Sequence, residues 1–269
     1  PDVIPSNNLP VDLKLGIDSK NFLKNLRSKQ AEWPEHMKYS LNFLKKTSEK
    51  IGRFKEFLRI ILKTIKSGYG FKIDGDWKKN TKSYDVLKSR MNNFENFFFI
   101  EKIRQKNFRL KKKYDNLVSK VDYKKKYIYF AAQYQPEATT SQIGGYYENF
   151  FLALDILSDL IPTDWVIYFK ENPVTFSKSS KILSSLKRNE NYYKKIIKKK
   201  NIKLISSDTD TFDLIDSAQL VSTITGTVAW EAAVRGVPSI SFGRTWYSGC
   251  NSILFVQTYD DVKKAINRI

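Results

Sequence analysis

Residues 220–242 read LVSTITGTVAWEAAVRGVPSISF. The first five are mostly apolar or β-branched and have the length of a buried strand. Thr225-Gly226-Thr227 ends that run, residues 228–235 have a helical texture, and Gly236 and Pro238 close the helix. Residues 239–242 are a second short apolar run. Strand, tight turn, helix and strand in succession make a βα unit, which belongs to a parallel sheet.

The same texture extends outward in both directions. Further strands are predicted at 127–132, 165–169 and 202–205, with a last one at 253–256. Helices are predicted between them at 145–160, 179–199, 211–216 and 227–235, and one closes the chain at 259–268. Nearly continuous apolar strands separated by helices imply an α/β fold, a Rossmann-like parallel sheet with helices on both faces. In such sheets ligands bind at the carboxyl ends of the strands.

Upstream the texture differs. Residues 1–126 read as a mainly helical, basic region, in which Phe43, Ile51, Phe54, Phe57, Leu58, Ile61 and Leu62 recur near helical spacing. Gly68, Gly70 and the turn Asp74-Gly75-Asp76 interrupt it, and a second helical stretch is predicted over 84–121 around Phe97, Phe98, Phe99 and Ile100. With 269 residues and about 150 per domain, the chain divides into a helical region, 1–126, and a Rossmann-like domain, 127–269. A start without Met and an end just after a helix raise the expectation of a piece of a longer chain.

Composition narrows the class. With 41% hydrophobic and 28% charged residues the sequence is too apolar for disorder. It contains no apolar run long enough to cross a bilayer and no signal peptide at its start. A single cysteine, Cys250, excludes an internal disulfide, and a cytoplasmic location is expected. Residues 1–126 hold 31 of the 47 Lys+Arg and 14 of the 28 Asp+Glu, a net +17, against +2 for the remainder. Two readings account for this: an anionic partner such as an acidic membrane surface, or drift in a composition rich in Lys, Asn and Ile. Nucleic acid is the weaker partner, because no helix-turn-helix, RRM or zinc pattern occurs.

The strand-end loops carry the candidate chemistry. Thr225, Gly226 and Thr227 offer backbone N–H groups and two hydroxyls to a phosphate; alternatively Thr225 or Thr227 is an ordinary N-cap. Glu231, one turn later, can accept from ribose hydroxyls or be a solvated helix glutamate. After the first strand, residues 133–141 supply Glu137 and the hydroxyls of Thr139, Thr140 and Ser141. After the second come Lys170, Glu171, Asn172 and Pro173, which also read as a plain turn. After the third, Asp208 or Thr209 caps the next helix or borders a nucleotide. Arg244 and Trp246, in the loop 243–249, suit anion contact or stacking, or are part of an aromatic loop packed on itself.

Taken in order, QPEATTS, the KENP turn, SSDTDTFDLI and TITGTVAWEAAVRGVPSISFGRTWY resemble the bacterial capsule polysaccharide biosynthesis glycosyltransferases, a family that includes Kdo transferases. The resemblance covers about residues 127–269 and implies the nucleotide-sugar-binding half of a GT-B enzyme. It implies that Thr225, Gly226 and Thr227 hold the donor phosphate and Glu231 the ribose. It also implies a saccharide or lipid-linked acceptor. The resemblance does not extend over the basic helical half, which is expected to be either the remnant of an acceptor domain or a helical insertion lying peripherally on the anionic inner membrane face. Asn172 stands where related CMP-sugar enzymes carry His, and Asn cannot be charged. Departure of the nucleotide phosphate then falls to the turn 225–227 with Lys170 or Arg244, and deprotonation of the acceptor to Glu137 as base. No cofactor is implied, since the nucleotide-sugar is substrate, and Mg²⁺ is not expected although Asp208-Thr209-Asp210 has the letters of a DxD pair. The one histidine, His36, reads as a surface or packing residue. Two other classes stay open: a non-catalytic nucleotide- or nucleic-acid-binding protein, and a GT-B-like UDP-sugar epimerase.

Overall fold

A computed structural model of the chain describes residues 16–28, 58, 93–135, 137–176 and 187–269. The periodic apolar positions at 43–62 apart from Leu58, the glycine turns at 68–76 and His36 lie outside them. The chain forms two compact units, one drawn from residues 1–34, 114–173 and 190–269 and the other from 35–113 and 174–189.

In the first unit six strands form one sheet: β1 (Tyr127–Ala131), β2 (Val166–Lys170), β3 (Ile202–Ile205), β4 (Leu220–Thr223), β5 (Ser239–Ser241) and β6 (Ile253–Phe255). Their order is β3-β2-β1-β4-β5-β6 and every pairing is parallel. The chain winds outward from β1 to β3, returns to the other side of β1 with β4, and winds outward again. The Rossmann-like sheet expected from the sequence is therefore present, with its topological switch point between β1 and β4.

Alternation along the strands sorts the core onto two faces. On one face Tyr127, Tyr129, Val166, Tyr168 and Val221 pack with α6 (Thr211–Asp216) and α7 (Val228–Val234). On the other, the Phe130 ring lies 6.0 Å from Phe150, which opens α4 (Phe150–Leu160), and stacks 5.6 Å from Phe169. Tyr192 of α5 (Glu190–Ile196) meets Phe151 of α4 at 4.9 Å. Two buried tyrosine hydroxyls donate to backbone carbonyls, Tyr127 to Leu214 at 2.8 Å and Tyr114 to Ile205 at 2.6 Å. Their polar tips are thus satisfied inside an apolar layer.

The helix α1 (Ile17–Arg27) belongs to this unit. Leu26 is buried in the sheet-face cluster and Phe22 stacks on Trp230 of α7 at 6.1 Å. Arg27 donates to the Val234 carbonyl at 3.1 Å. Arg235 donates to the carbonyls of Leu26 and Ser28 and forks onto Asp216. A guanidinium satisfies several acceptors at once, so Arg235 ties α1 to the ends of α6 and α7.

Several predicted elements shift, each for a local reason. Gly145, at φ 54°, opens a single 3-10 turn (Gly145–Glu148), and the Asn149 side chain then caps α4, so the helix predicted from 145 begins at Phe150. The loop 133–141 contains a short helix, α3 (Ala138–Ile143). Of the helix predicted at 179–199, residues 177–186 lie outside the described part and α5 accounts for Glu190–Ile196. The last helix, α8 (Tyr259–Ile266), starts at a capping box in which the Thr258 hydroxyl accepts from the Asp261 N–H and the Asp261 carboxylate accepts from the Thr258 N–H.

In the second unit, α2 (Asn93–Asp115) buries Ile103, Asn107 and Leu110 at helical spacing, and Lys111 lies over the Phe176 ring at 5.7 Å. The helix predicted to reach residue 121 stops at Asp115. Ser119 N–H instead donates to the Leu204 carbonyl at 2.7 Å, and a helix there could not make that bond.

Candidate functional site

The carboxyl ends of β1 and β4 are neighbours, and their loops meet. Leaving β1, the Ala131 carbonyl accepts from the Thr223 hydroxyl at 3.0 Å. Two residues on, the buried Gln133 side chain reaches the turn after β4. Its carbonyl oxygen accepts from the Thr225 hydroxyl (2.7 Å), the Thr225 N–H (3.0 Å) and the Gly226 N–H (2.7 Å). The carbonyl faces inward because an NH₂ there would oppose two N–H donors. Free backbone N–H groups in such a turn suit an anionic oxygen; here an uncharged oxygen from β1 takes that position.

Thr140 of α3 is fully buried beside the turn, 3.3 Å from the Thr225 hydroxyl, and donates to Glu137 at 3.2 Å. Burial raises the Glu137 pKa, and the Thr140 and Thr139 hydroxyls oppose the shift. Ser141 donates to Glu148 at 3.2 Å, while Thr139 is exposed.

Neither Thr225 nor Thr227 is a side-chain N-cap of α7. Thr227 has helical backbone angles, and its hydroxyl donates instead to Glu231 at 3.0 Å. Glu231 is 6% exposed, not a solvated helix glutamate. Burial raises its pKa, opposed by the Thr227 hydroxyl and the positive charges of Lys170 and Arg235. Lys170, at the end of β2, is equally buried and donates to the Thr211 hydroxyl at 2.8 Å. Desolvation lowers its pKa to about 8, although the carboxylates of Asp210, Asp208 and Glu231 favour the charged form. A buried lysine and a buried glutamate that each resist ionisation at neighbouring strand ends mark this region as a candidate functional site.

The other predicted residues divide. Asp210, not Asp208 or Thr209, caps α6, accepting from Phe212 N–H (2.7 Å) and Asp213 N–H (3.0 Å). Asp208 is exposed and accepts from the Ser207 hydroxyl. Asn172 donates its backbone N–H to the buried Glu171 carboxylate at 3.1 Å, and exposed Pro173 opens a 3-10 turn. Arg244 is exposed with its guanidinium 5.8 Å from the Phe255 ring on β6. Trp246 is 73% exposed and packs edge-on to Tyr247. Among the described residues no group of three His, Cys, Asp or Glu side chains is placed to hold a metal ion, and no helix is long and apolar enough to cross a membrane.

Three contributors are not singled out by the sequence. Gln133 carries no charge and sits in a polar loop. Tyr247 is buried beneath the aromatic loop, and its hydroxyl donates to the Gly226 carbonyl, fixing the turn from below. Gly243 has no room for a side chain: a Cβ would lie 2.5 Å from Thr225 Cγ2 and 3.1 Å from the Ile143 carbonyl. Gly243→Ala is therefore expected to lower stability by about 1–2 kcal/mol and to displace the turn. Chemical denaturation together with nucleotide titration checks this, and unchanged values for both would refute the tight fit.

The fold and site thus define a Rossmann-like α/β unit with a cluster of buried polar residues at its switch point. Among solved structures the chain is similar to the β-Kdo 2,7-transferase of Thermosulfurimonas dismutans, at 17% identity and TM-score 0.39, covering 65% of this chain and 50% of that one. It is similar to the UDP-GlcNAc 2-epimerase of Methanocaldococcus jannaschii, at 19% and 0.40, covering 68% and 50%. It is also similar to WaaG, a glycosyltransferase involved in lipopolysaccharide biosynthesis, at 12% and 0.34, covering 67% and 44%. The chain spans about half the length of these proteins. No protein-family model and no curated protein matches it.

Proposed function

We propose that the crevice between β1 and β4 binds a nucleotide-sugar and that the protein passes the sugar to an acceptor hydroxyl, as a glycosyltransferase acting on a surface or capsular polysaccharide or glycolipid. The observation that carries this reading is the gathering of Lys170, Glu231, Gln133 and the turn 225–227 at the ends of neighbouring parallel strands. The turn's amides and hydroxyls suit the donor phosphate, Lys170 balances its charge, and Glu231 accepts from ribose hydroxyls. A phosphate oxygen takes over the donors that Gln133 now holds, and it is the stronger acceptor because it is charged.

In transfer, the acceptor oxygen bonds to the anomeric carbon as the bond from that carbon to the phosphate oxygen breaks. The bonding pair leaves with the nucleotide and the acceptor proton passes to a carboxylate. Glu137 is the base in this reading: burial raises its proton affinity, and Thr140 links it to Thr225.

A thermal-unfolding panel of CMP, UDP, GDP and their sugars, run on the chain and on Thr225→Ala/Thr227→Ala, tests the reading. One nucleotide class stabilises the wild type by about 2–3 kcal/mol near 100 times its Kd, and the double variant loses the effect. No stabilisation by any of the six overturns the proposal. Turnover of a UDP-sugar without acceptor replaces it with an epimerase.

A further inference from the structure

The first unit carries a lysine surface on the edge of the sheet opposite the crevice. Lys124, Lys125 and Lys126 immediately precede β1, and Lys198, Lys199 and Lys200 precede β3. Since all strands are parallel and β2 lies between these two, both triplets sit at the amino edge of the same half of the sheet. The backbone joins the three strand starts directly: Val166 N–H donates to the Lys126 carbonyl at 3.2 Å and Ile167 N–H to the Asn201 carbonyl at 2.8 Å. With strands about 4.8 Å apart, the triplets are anchored within roughly 10 Å of each other.

Lys199 is engaged by Asp155 (3.2 Å) and Asp159 (2.9 Å). Lys124, Lys125, Lys126, Lys198 and Lys200 are exposed, and none of their ammonium groups has an ion-pair partner among the described residues. The acids near them are the exposed Asp122 and Asp164 and the pair Asp155 and Asp159 that engages Lys199, fewer than the six lysines. The carboxyl edge instead holds Glu137, Glu171, Asp208, Asp210 and Glu231. The unit is therefore polarised, basic at the amino edge and acid-rich at the edge that carries the crevice.

We propose that this amino-edge lysine surface docks the protein on a membrane containing anionic lipids, with the crevice facing away from the bilayer. The chemistry of the patch favours lipid over nucleic acid. Its cations are all lysines, which meet a diffuse anionic surface as hydrated point charges, whereas nucleic-acid phosphate recognition favours the planar fork of arginine. Beside the triplet before β1 stands Tyr123, 44% exposed, an amphipathic ring suited to the headgroup layer. The inference is independent of what the crevice binds.

Co-sedimentation with vesicles of neutral phosphatidylcholine, alone or with 30 mol% phosphatidylglycerol, is the test. The intact chain binds the anionic vesicles, releases them in 0.5 M salt and ignores neutral ones. A variant with Lys124, Lys125, Lys126, Lys198 and Lys200 all changed to Gln partitions about 100-fold or more weakly, with an unaltered circular dichroism spectrum. A control with Lys20, Lys24, Lys263 and Lys264 changed to Gln, four exposed lysines of α1 and α8 outside the two triplets, keeps most of the binding. Equal loss in both variants shows mere net charge and overturns the proposal, as does wild-type binding by the five-fold variant. Tighter binding to duplex DNA than to anionic vesicles, lost in the same variant, replaces the membrane with nucleic acid.

Discussion

Glu231→Gln is expected to weaken nucleotide-sugar binding by roughly 10- to 100-fold while leaving the melting temperature equal to or above that of the wild type. Hydrogen bonds to a charged acceptor contribute about 1.5–3 kcal/mol, and the amide retains shape and the Thr227 contact but not the charge. Stability moves the other way because burial holds the Glu231 pKa above its ordinary 4.5. A carboxyl whose pKa is raised on folding stabilises the fold only when protonated, and that contribution is lost as pH rises through the folded value. Once the pH has passed the folded value the wild type carries the cost of a buried carboxylate, and glutamine removes it. Below pH 4.5 the difference in stability between the two proteins should vanish. Isothermal titration and unfolding curves from pH 4 to 8 measure both effects. A variant that loses stability at pH 7 and keeps its affinity would show Glu231 to be a packing residue.

Lys170 should make nucleotide affinity fall with pH in a range where lysines are normally silent. Its pKa of about 8, against an ordinary 10.5, means that the ammonium is lost well below the usual lysine range. Above pH 8 each further unit removes up to a factor of about 10 from that part of the affinity which depends on the charge. Lys170→Met is expected to bind about 100-fold more weakly at pH 7 and to lose the dependence between pH 7 and 10. The linkage to stability has the same origin. A lysine depressed on folding costs most below pH 8, and the wild type gains stability between pH 8 and 10.5 as the unfolded chain alone still holds the proton. Titrations between about pH 7.5 and 9, where the nucleotide phosphates are fully ionised and the bases still neutral, check the first claim. A flat profile in the wild type would place Lys170 away from the ligand.

The two variants also separate the parts of the crevice. Glu231 and Lys170 sit on different elements, α7 and the end of β2, and are coupled through charge rather than through a shared hydrogen bond. Changing both at once should therefore cost less in affinity than the two single losses combined, because each single variant also removes one of its partner's counter-charges.

What the sequence by itself determined is the sheet. Strands buried on both faces have to be apolar nearly throughout, so runs such as Tyr127–Ala131 and Leu220–Thr223 are recognisable without any partner in view. The helices between them, and hence parallel pairing and chemistry at the carboxyl ends, follow from connection rules alone. Thr225, Gly226, Thr227 and Glu231 are legible for the same reason: they directly follow a strand. Tertiary structure decided what those groups do. The α3 helix has no apolar period in ATTSQI, and its Thr140 is buried against residues 85 positions away. Thr227 turns to Glu231 instead of capping, Asp210 caps where Asp208 or Thr209 was expected, and Arg244 lies over Phe255. Local spacing offers each of these side chains several partners of similar energy, and packing chooses among them. Gln133 is the clearest case, since an uncharged amide at the end of β1 acquires its role only when the switch in strand order sets β4, and the turn after it, beside β1.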